Sequence, residues 1–248
     1  METCAIVQAR MGSTRLPGKV MMKLDNSNTM LYYVLSQLRH SKFLDKIIVA
    51  TTILSEDDQI ETFSKNLGVD CFRGNPKDLV DRYYNCALKF SSSPIVRITA
   101  DNPLIDPSLV DEALEQFFNN SFDVVSNCMV RTYPAGTEVE IFTLKALEIV
   151  WKNTHLSFDR EHVTPYFYKN ANIFKIFNIS HQKNISHLRW TVDTIDDFSL
   201  VKSIISKISK RPILMNDILN LFSQEPDLIN MNKHLASIQY DKESYKTP

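Results

Sequence analysis

The residues best suited to chemistry fall in one short stretch near the N-terminus. Between Gln8 and Lys19 the chain reads Gln8-Ala9-Arg10-Met11-Gly12-Ser13-Thr14-Arg15-Leu16-Pro17-Gly18-Lys19, with two arginines, a lysine, two hydroxyls and two of the five glycines in the protein. Glycines let backbone N–H groups turn toward an anion, and the cations offset phosphate charge. A phosphorylated ligand is the chemistry this loop can serve; a solvated basic turn is the bland alternative. The spacing excludes a P-loop, which has four residues between its glycines and a hydroxyl after its lysine. Here five residues separate Gly12 from Gly18, and Val20 follows Lys19. The glycines do not fit the G-x-G-x-x-G dinucleotide pattern either.

Carboxylates supply the second set of candidates. Asp101 follows the apolar run at 94–99 and precedes Asn102-Pro103, which places it at a strand end. Mg²⁺ prefers one or two carboxylates completed by phosphate oxygens and water, so Asp101 is read as a metal ligand, with a turn or capping role as the alternative. Asp106, before Pro107, is read as a helix cap. Glu138 and Glu140 are two apart on an expected strand and so share a face, where they could orient an acceptor hydroxyl, bind a second metal or simply meet solvent. Arg160 and His162 could meet an anionic group or hydroxyls of a second substrate, or His162 could be structural. No H-E-x-x-H spacing, Gly-x-Ser-x-Gly elbow or convincing nucleophilic cysteine is present. Asp-x-Asp at a strand end, the usual acidic motif of a glycosyltransferase, is also missing.

These groups must be positioned by the elements around them. Short apolar runs alternate with segments of helical period, the pattern of a mostly parallel α/β sheet. Strands are expected at 5–9, 47–51, 69–73, 94–99, 123–126, 139–142, 174–179 and 188–193. Helices are expected near 29–41, 56–66, 78–90, from 107 for about 12 residues, and near 143–152, 159–170, 196–208 and 215–222. Asp193 ends the 188–193 strand; Asp196 and Asp197 sit in the next helix's first turn, where dipole or capping roles suit them. Phe117, Phe118, Trp151, Phe167 and Phe174 are read as core, and the segment 133–136 as a loop at the substrate mouth.

Composition bounds the partners. The 248 residues are 44% hydrophobic and 23% charged, within the globular range. With 28 Lys+Arg against 29 Asp+Glu the net charge is −1, which argues against a broad nucleic-acid-binding surface. No apolar run approaches the roughly 18–20 residues of a membrane span. No secretory signal is visible, and Cys4, Cys71, Cys86 and Cys128 show no paired spacing, so free thiols and a cytoplasmic location are expected.

The run Ile6-Val7-Gln8-Ala9-Arg10-Met11-Gly12-Ser13-Thr14-Arg15-Leu16-Pro17-Gly18-Lys19 resembles the signature loop of sugar-type cytidylyltransferases, specifically the branch of spore-coat-polysaccharide-biosynthesis protein F. That branch is related to the 3-deoxy-manno-octulosonate and acylneuraminate cytidylyltransferases. The resemblance continues through Arg73-Gly74, Asp81-Arg82-Tyr83, the run from Arg97 to Pro107, Glu138-Val139-Glu140, Arg160-Glu161-His162-Val163-Thr164 and Arg189-Trp190-Thr191-Val192-Asp193-Thr194, covering about residues 4–205. It implies an α/β, nucleotide-diphospho-sugar-transferase-like (GT-A type) sandwich with a mostly parallel central sheet. One nucleotidyltransferase domain at 1–230 would carry a smaller acceptor-side or dimerisation lobe at about 130–180, and 231–248 would be a polar tail, loosely held or swapped onto a partner.

The resemblance also implies a chemistry: cytidylyl transfer from CTP to an acidic sugar or related phosphate or phosphonate acceptor, with release of pyrophosphate. Ala9, Arg10, Gly12, Ser13, Arg15, Lys19, Arg73, Arg82 and Asp101 would bind the nucleotide, with Arg10, Lys19 and Asp101 catalytic. Asp101 and Asp193 would carry Mg²⁺; Glu138, Glu140, Arg160 and His162 would meet the acceptor. For Arg73 and Arg82 a surface ion pair is the alternative. A homodimer is expected by family analogy. Use of another nucleoside triphosphate, or a nucleotide-binding module without catalysis, are the competing readings.

Overall fold

A computed structural model describes residues 2–235. Its centre is a seven-stranded sheet built from β1 (Glu2–Gln8), β2 (Lys46–Thr52), β3 (Asp70–Gly74), β4 (Ser92–Thr99), β5 (Val124–Ser126), β6 (Glu140–Phe142) and β7 (Ile176–Asn178), in the order β3-β2-β1-β4-β6-β5-β7. β1 pairs in parallel with both β2 and β4, and β3 extends the parallel half. β6 runs antiparallel to β4 and β5, and β7 is parallel to β5. The chain leaves β1 toward β2 on one side and returns to β4 on the other. In open α/β sheets this reversal opens a crevice beyond the carboxyl ends of the two strands. The loop after β1 and Asp101 after β4 both issue into it.

β1 shows why the sheet is central. Cys4, Ala5, Ile6 and Val7 are all fully buried, and the two-residue period sends Cys4 and Ile6 to one core, Ala5 and Val7 to the other. The Ala5/Val7 core takes α1 (Met30–Leu38), α4 (Pro107–Asn119), α8 (Ile195–Lys207) and α9 (Met215–Gln224). The Cys4/Ile6 core takes α3 (Leu79–Lys89), α5 (Leu144–Asn153) and Phe167. Local signals start these helices: Thr29, Asp78, Asp106, Thr143 and Thr194 each accept a first-turn N–H, and Pro107 opens α4 where its missing N–H costs nothing. The expected capping role of Asp106 is thus observed. The helix expected at 56–66 begins with a 3₁₀ turn at Ser55–Asp57 and continues as α2 (Asp58–Asn66).

Four expectations are corrected. The helix expected over 159–170 is two short ones, α6 (Ser157–His162) and α7 (Pro165–Lys169). The break is at Val163, which forms a tight turn at φ +67° with Thr164 N–H donating to His162 O at 2.8 Å, and Pro165, lacking an N–H, opens the second helix at its first position. The strand expected at 188–193 is an extended segment making one isolated bridge, Arg189 to Ala135. The 133–136 loop packs against that segment, with Tyr133 and Ala135 buried, rather than standing at a mouth. Phe118 is 50% exposed rather than core.

The first residues of the expected 231–248 tail are folded. α10 (Asp227–Asn230) is followed by a 3₁₀ turn at Lys233–Leu235, and Asn232 and Leu235 are buried. Residues 236–248 of the expected tail lie outside the described residues. The four cysteines are free, with Cys4 and Cys86 buried. Among the described residues no helix is long and apolar enough to cross a membrane.

Candidate active site

The first loop is held from several directions. Gly18 N–H and Ser13 N–H both donate to Met11 O, at 2.9 and 2.8 Å, and Leu16 N–H reaches Ser13 Oγ at 3.4 Å. Met11 N–H donates to buried Asp57 at 2.7 Å, whose other oxygen accepts from Thr52 at the end of β2. Gly18 adopts φ +71°, a conformation that costs an L-residue roughly 1–2 kcal/mol. That turn starts the 3₁₀ helix Lys19–Met21 and points Lys19 inward. Gly12 packs close to Glu56.

Lys19 is the meeting point. Its Nζ lies 3.1 Å from Asp101 Oδ2, 3.0 Å from Asp193 Oδ1 and 2.7 Å from Val192 O. Burial opposes its charge, but the two carboxylates outweigh burial and raise its pKa above the ordinary 10.5. Asp193 is also bound by Arg15 at 3.0 Å on Oδ1 and by Arg189 at 2.8 Å on Oδ2. Burial alone would raise the Asp193 pKa; Lys19 and then Arg189 overcome it and hold the carboxyl below the usual 3.8. The extended segment that delivers Asp193 is tied to the end of β4 by Val192 N–H to Asp101 O at 2.8 Å. Trp190 and Thr191 N–H both donate to Ala135 O. Gly136 makes this approach possible: a Cβ there would stand 2.6 Å from Thr191 N.

Two pockets flank this centre. One is lined by Gln8, Ala9, Arg10, Pro76, Lys77, Leu79, Arg82, Glu161 and His162. Arg82 is buried and donates to Asn75 O at 3.0 and 2.8 Å, so it shapes the wall; burial lowers its pKa. Arg10 reaches Glu161 across the opening at 3.6 Å. The other pocket, of about 200 Å³, holds Asp101, Asp193, Glu138, Glu140 and His162 together with Arg97, Asn102, Arg131, Thr164 and Tyr168. Glu138 lies just outside β6, yet both glutamates face this pocket. Glu138 accepts from Asn102 at 3.0 Å and Gly136 N–H at 2.8 Å and pairs with Arg131 at 2.9 Å. Glu140 pairs with half-buried Arg97 and accepts from Tyr168 O–H. His162 belongs to both pockets, and burial lowers its pKa below 6.5, leaving a neutral imidazole at neutral pH.

Two predicted residues lie elsewhere. Arg73 bonds Thr52 O at 2.9 Å and Leu54 O at 2.8 Å and pairs with Asp58 and Glu61, clamping β3 to the start of α2. Arg160 bonds Thr154 O at 2.9 Å and Trp151 O at 2.6 Å and pairs with Asp78 at 3.3 Å, joining α6 to α5 and α3. Arg97, Arg131, Tyr168 and Lys77 were not predicted. Arg97 had a signal, one charge inside the apolar run Ile95-Val96-Arg97-Ile98; the other three had none.

A divalent cation fits the residues present. Asp101 Oδ2 and Asp193 Oδ1 already embrace one cationic atom, and hard carboxylate oxygens are what Mg²⁺ takes. Among the described residues no third His, Cys, Asp or Glu joins them in a metal-holding group, so phosphate and water oxygens would complete the shell.

Residues 4–223 match the family model described as cytidylyltransferase. An uncharacterized protein of Methanocaldococcus jannaschii is 40% identical over 97% of this chain and 98% of its own length. The spore coat polysaccharide biosynthesis protein SpsF of Bacillus subtilis is 30% identical over 90% of this chain and 94% of its own. Shorter matches reach 3-deoxy-manno-octulosonate cytidylyltransferases; that of Trichlorobacter lovleyi is 31% identical over 48% of this chain and 46% of its own. Among solved structures, a cytidylyltransferase from Leptospira borgpetersenii superposes with a TM-score of 0.89 at 37% identity, covering 92% of this chain and 97% of that one. The fold is accordingly the nucleotide-sugar-transferase-like sandwich that the resemblance implied. The chain belongs to the cytidylyltransferase family and is a nucleotidyltransferase of the SpsF branch, related to the 3-deoxy-manno-octulosonate enzymes.

Proposed function

We propose that this enzyme transfers CMP from CTP to an acidic sugar, or to a related phosphate or phosphonate, and releases pyrophosphate. An acceptor oxygen attacks the α-phosphorus of CTP, a new P–O bond forms, and the bond to the pyrophosphate oxygen breaks. Negative charge builds on the leaving group, so catalysis needs alignment and fixed positive charge more than covalent chemistry. Arg10, Arg15 and Lys19 hold the triphosphate beside Gly12 and Ser13, with the nucleoside in the pocket of Ala9 and Arg82. Asp101 and Asp193 hold Mg²⁺, which supplies charge neutralisation when bound. The acceptor occupies the pocket of Glu138, Glu140 and His162; residues 130–180 act as an acceptor-side lobe of a single domain. Arg73 and Arg160 serve from behind, as clamps on the elements that line the pockets.

The observation that carries this reading is the convergence of Asp101 and Asp193 on Lys19, from positions distant in sequence, at the crevice between β1 and β4. The SpsF relative is named for spore coat polysaccharide biosynthesis, and we place the product among activated precursors of surface glycans. The enzyme would work in the cytoplasm, as a homodimer.

The test is a pyrophosphate-release screen of CTP, UTP, ATP and GTP against acidic sugars, polyol phosphates and phosphonates, with and without Mg²⁺. Release with CTP and one acidic acceptor, dependent on metal, is expected. A preference for another nucleotide would overturn the base assignment, and no release with any pair would favour a binding module.

A further inference from the structure

Behind Asp193 lies a buried polar cluster that lines neither flanking pocket. Arg189 is 6% exposed, Asp197 0% and Asn232 3%. Arg189 Nε donates to Asp197 Oδ1 at 2.9 Å and Nη2 to Asp197 Oδ2 at 3.0 Å, a two-pronged pairing that fixes the guanidinium plane. The same Nη2 reaches Asp193 Oδ2 at 2.8 Å. Asp197 Oδ2 also accepts Asp193 N–H at 3.0 Å and Thr194 N–H at 3.1 Å, so it holds the backbone that carries Asp193. Asn232 closes the cluster from the far side, donating to Arg189 O at 3.2 Å and Asp197 Oδ1 at 2.8 Å.

Buried ion pairs of this kind are weak sources of stability, because desolvation offsets their attraction. Geometry is what the cluster supplies. Arg189 occupies Oδ2 of Asp193, which leaves Oδ1 as the oxygen that meets the loop cations Lys19 and Arg15. We propose that Arg189, Asp197 and Asn232 are positioning residues that orient Asp193 as a one-oxygen ligand for the divalent cation. The inference rests on the metal reading above and adds a device that reaches from the pocket to the C-terminal turn. Asn232 therefore acts on a site it never touches.

The test is Mn²⁺ binding followed by electron paramagnetic resonance in the presence of CTP without acceptor, together with the Mn²⁺ dependence of turnover. Wild type, Asp193→Asn, Arg189→Lys, Asp197→Asn and Asn232→Ala are compared. Groups that orient metal ligands typically contribute about 10–100-fold in affinity. Arg189→Lys keeps the charge but loses the fork, so it should weaken Mn²⁺ binding by about tenfold. Asn232→Ala should weaken binding several-fold and raise the metal concentration needed for half-maximal rate, with kcat largely recovered at saturating metal. If Asp197→Asn does not fold, the Arg189 and Asn232 variants decide. Folded variants that bind Mn²⁺ as wild type does, while Asp193→Asn does not, would overturn the positioning role alone. Loss of Mn²⁺ binding in none of the variants, Asp193→Asn included, would overturn the metal reading and the positioning role with it.

Discussion

At the scale of single residues the centre of this protein is an ammonium between two carboxylates. Lys19 offsets Asp101 and Asp193 at once, so its removal does two things. Lys19→Ala should lower turnover by orders of magnitude, and it should also destabilise the fold by about 1–3 kcal/mol, because two partly buried carboxylates lose a shared partner. Asp101→Asn should lower turnover as severely with little loss of stability, since it removes one of the two like charges. Denaturant unfolding of both variants beside pyrophosphate release checks the contrast. The stability cost at Lys19 comes from burial of its ammonium, which the sequence does not show.

At the scale of elements, the site depends on loops held by backbone geometry rather than on regular structure. The segment bearing Asp193 is no strand; it is pinned to the turn at Gly136 and to the end of β4. Gly136 has φ +107° and no room for a Cβ beside Thr191 N. Gly136→Ala should therefore destabilise by about 1–3 kcal/mol, the usual cost of a forbidden backbone conformation, and more where the contact cannot relax. It should also lower turnover, because displacing residues 189–192 moves Asp193; urea unfolding and steady-state rates measure the two effects. The turn at Val163 is similar in kind. A β-branched residue at positive φ stands between His162 and Thr164, both of which line the pocket of Asp101 and Asp193. Gly18 was legible as a special position, because two glycines in a cationic loop are rare in a chain with five. Val163 was not, since nothing in its side chain announces a left-handed conformation.

At the scale of the molecule, the buried charges set how stability responds to pH. Asp193 and Asp197 have folded pKa values below the ordinary 3.8: burial would raise both, but Lys19 and Arg189 outweigh it at Asp193, and Arg189 with hydrogen bonds from Asn232 and Asp193 N–H outweighs it at Asp197. Their contribution is present above that value and is lost as pH falls through the lower folded ones. Lys19 is raised above 10.5, so its contribution is present below that value and is lost as pH rises through the higher folded one. The melting temperature should drop steeply below about pH 4, as the two carboxylates protonate. In Asp197→Asn the acid-side slope of stability against pH should shrink by up to about 1.4 kcal/mol per pH unit, one proton's share, which melting curves across pH 2–5 would measure.

Most strands and helices, the cationic glycine-bearing loop after the first strand and the family were readable from the chain, because they rest on local periodicity, glycine placement and contiguous motifs. Asp101 was readable for the same reason: it follows an apolar run directly. What only the folded molecule decided is who stands opposite whom. Arg73 and Arg160 carry motif residues yet turn to neighbouring backbone, while Arg97 and Tyr168, from distant segments, meet around Glu140. Asn232, in a stretch that reads as tail, is drawn inside by Asp197. A side chain's direction is set by the packing of elements far apart in sequence, and a guanidinium or carboxylate takes whichever partner that packing brings within hydrogen-bond reach; sequence spacing does not encode that distance.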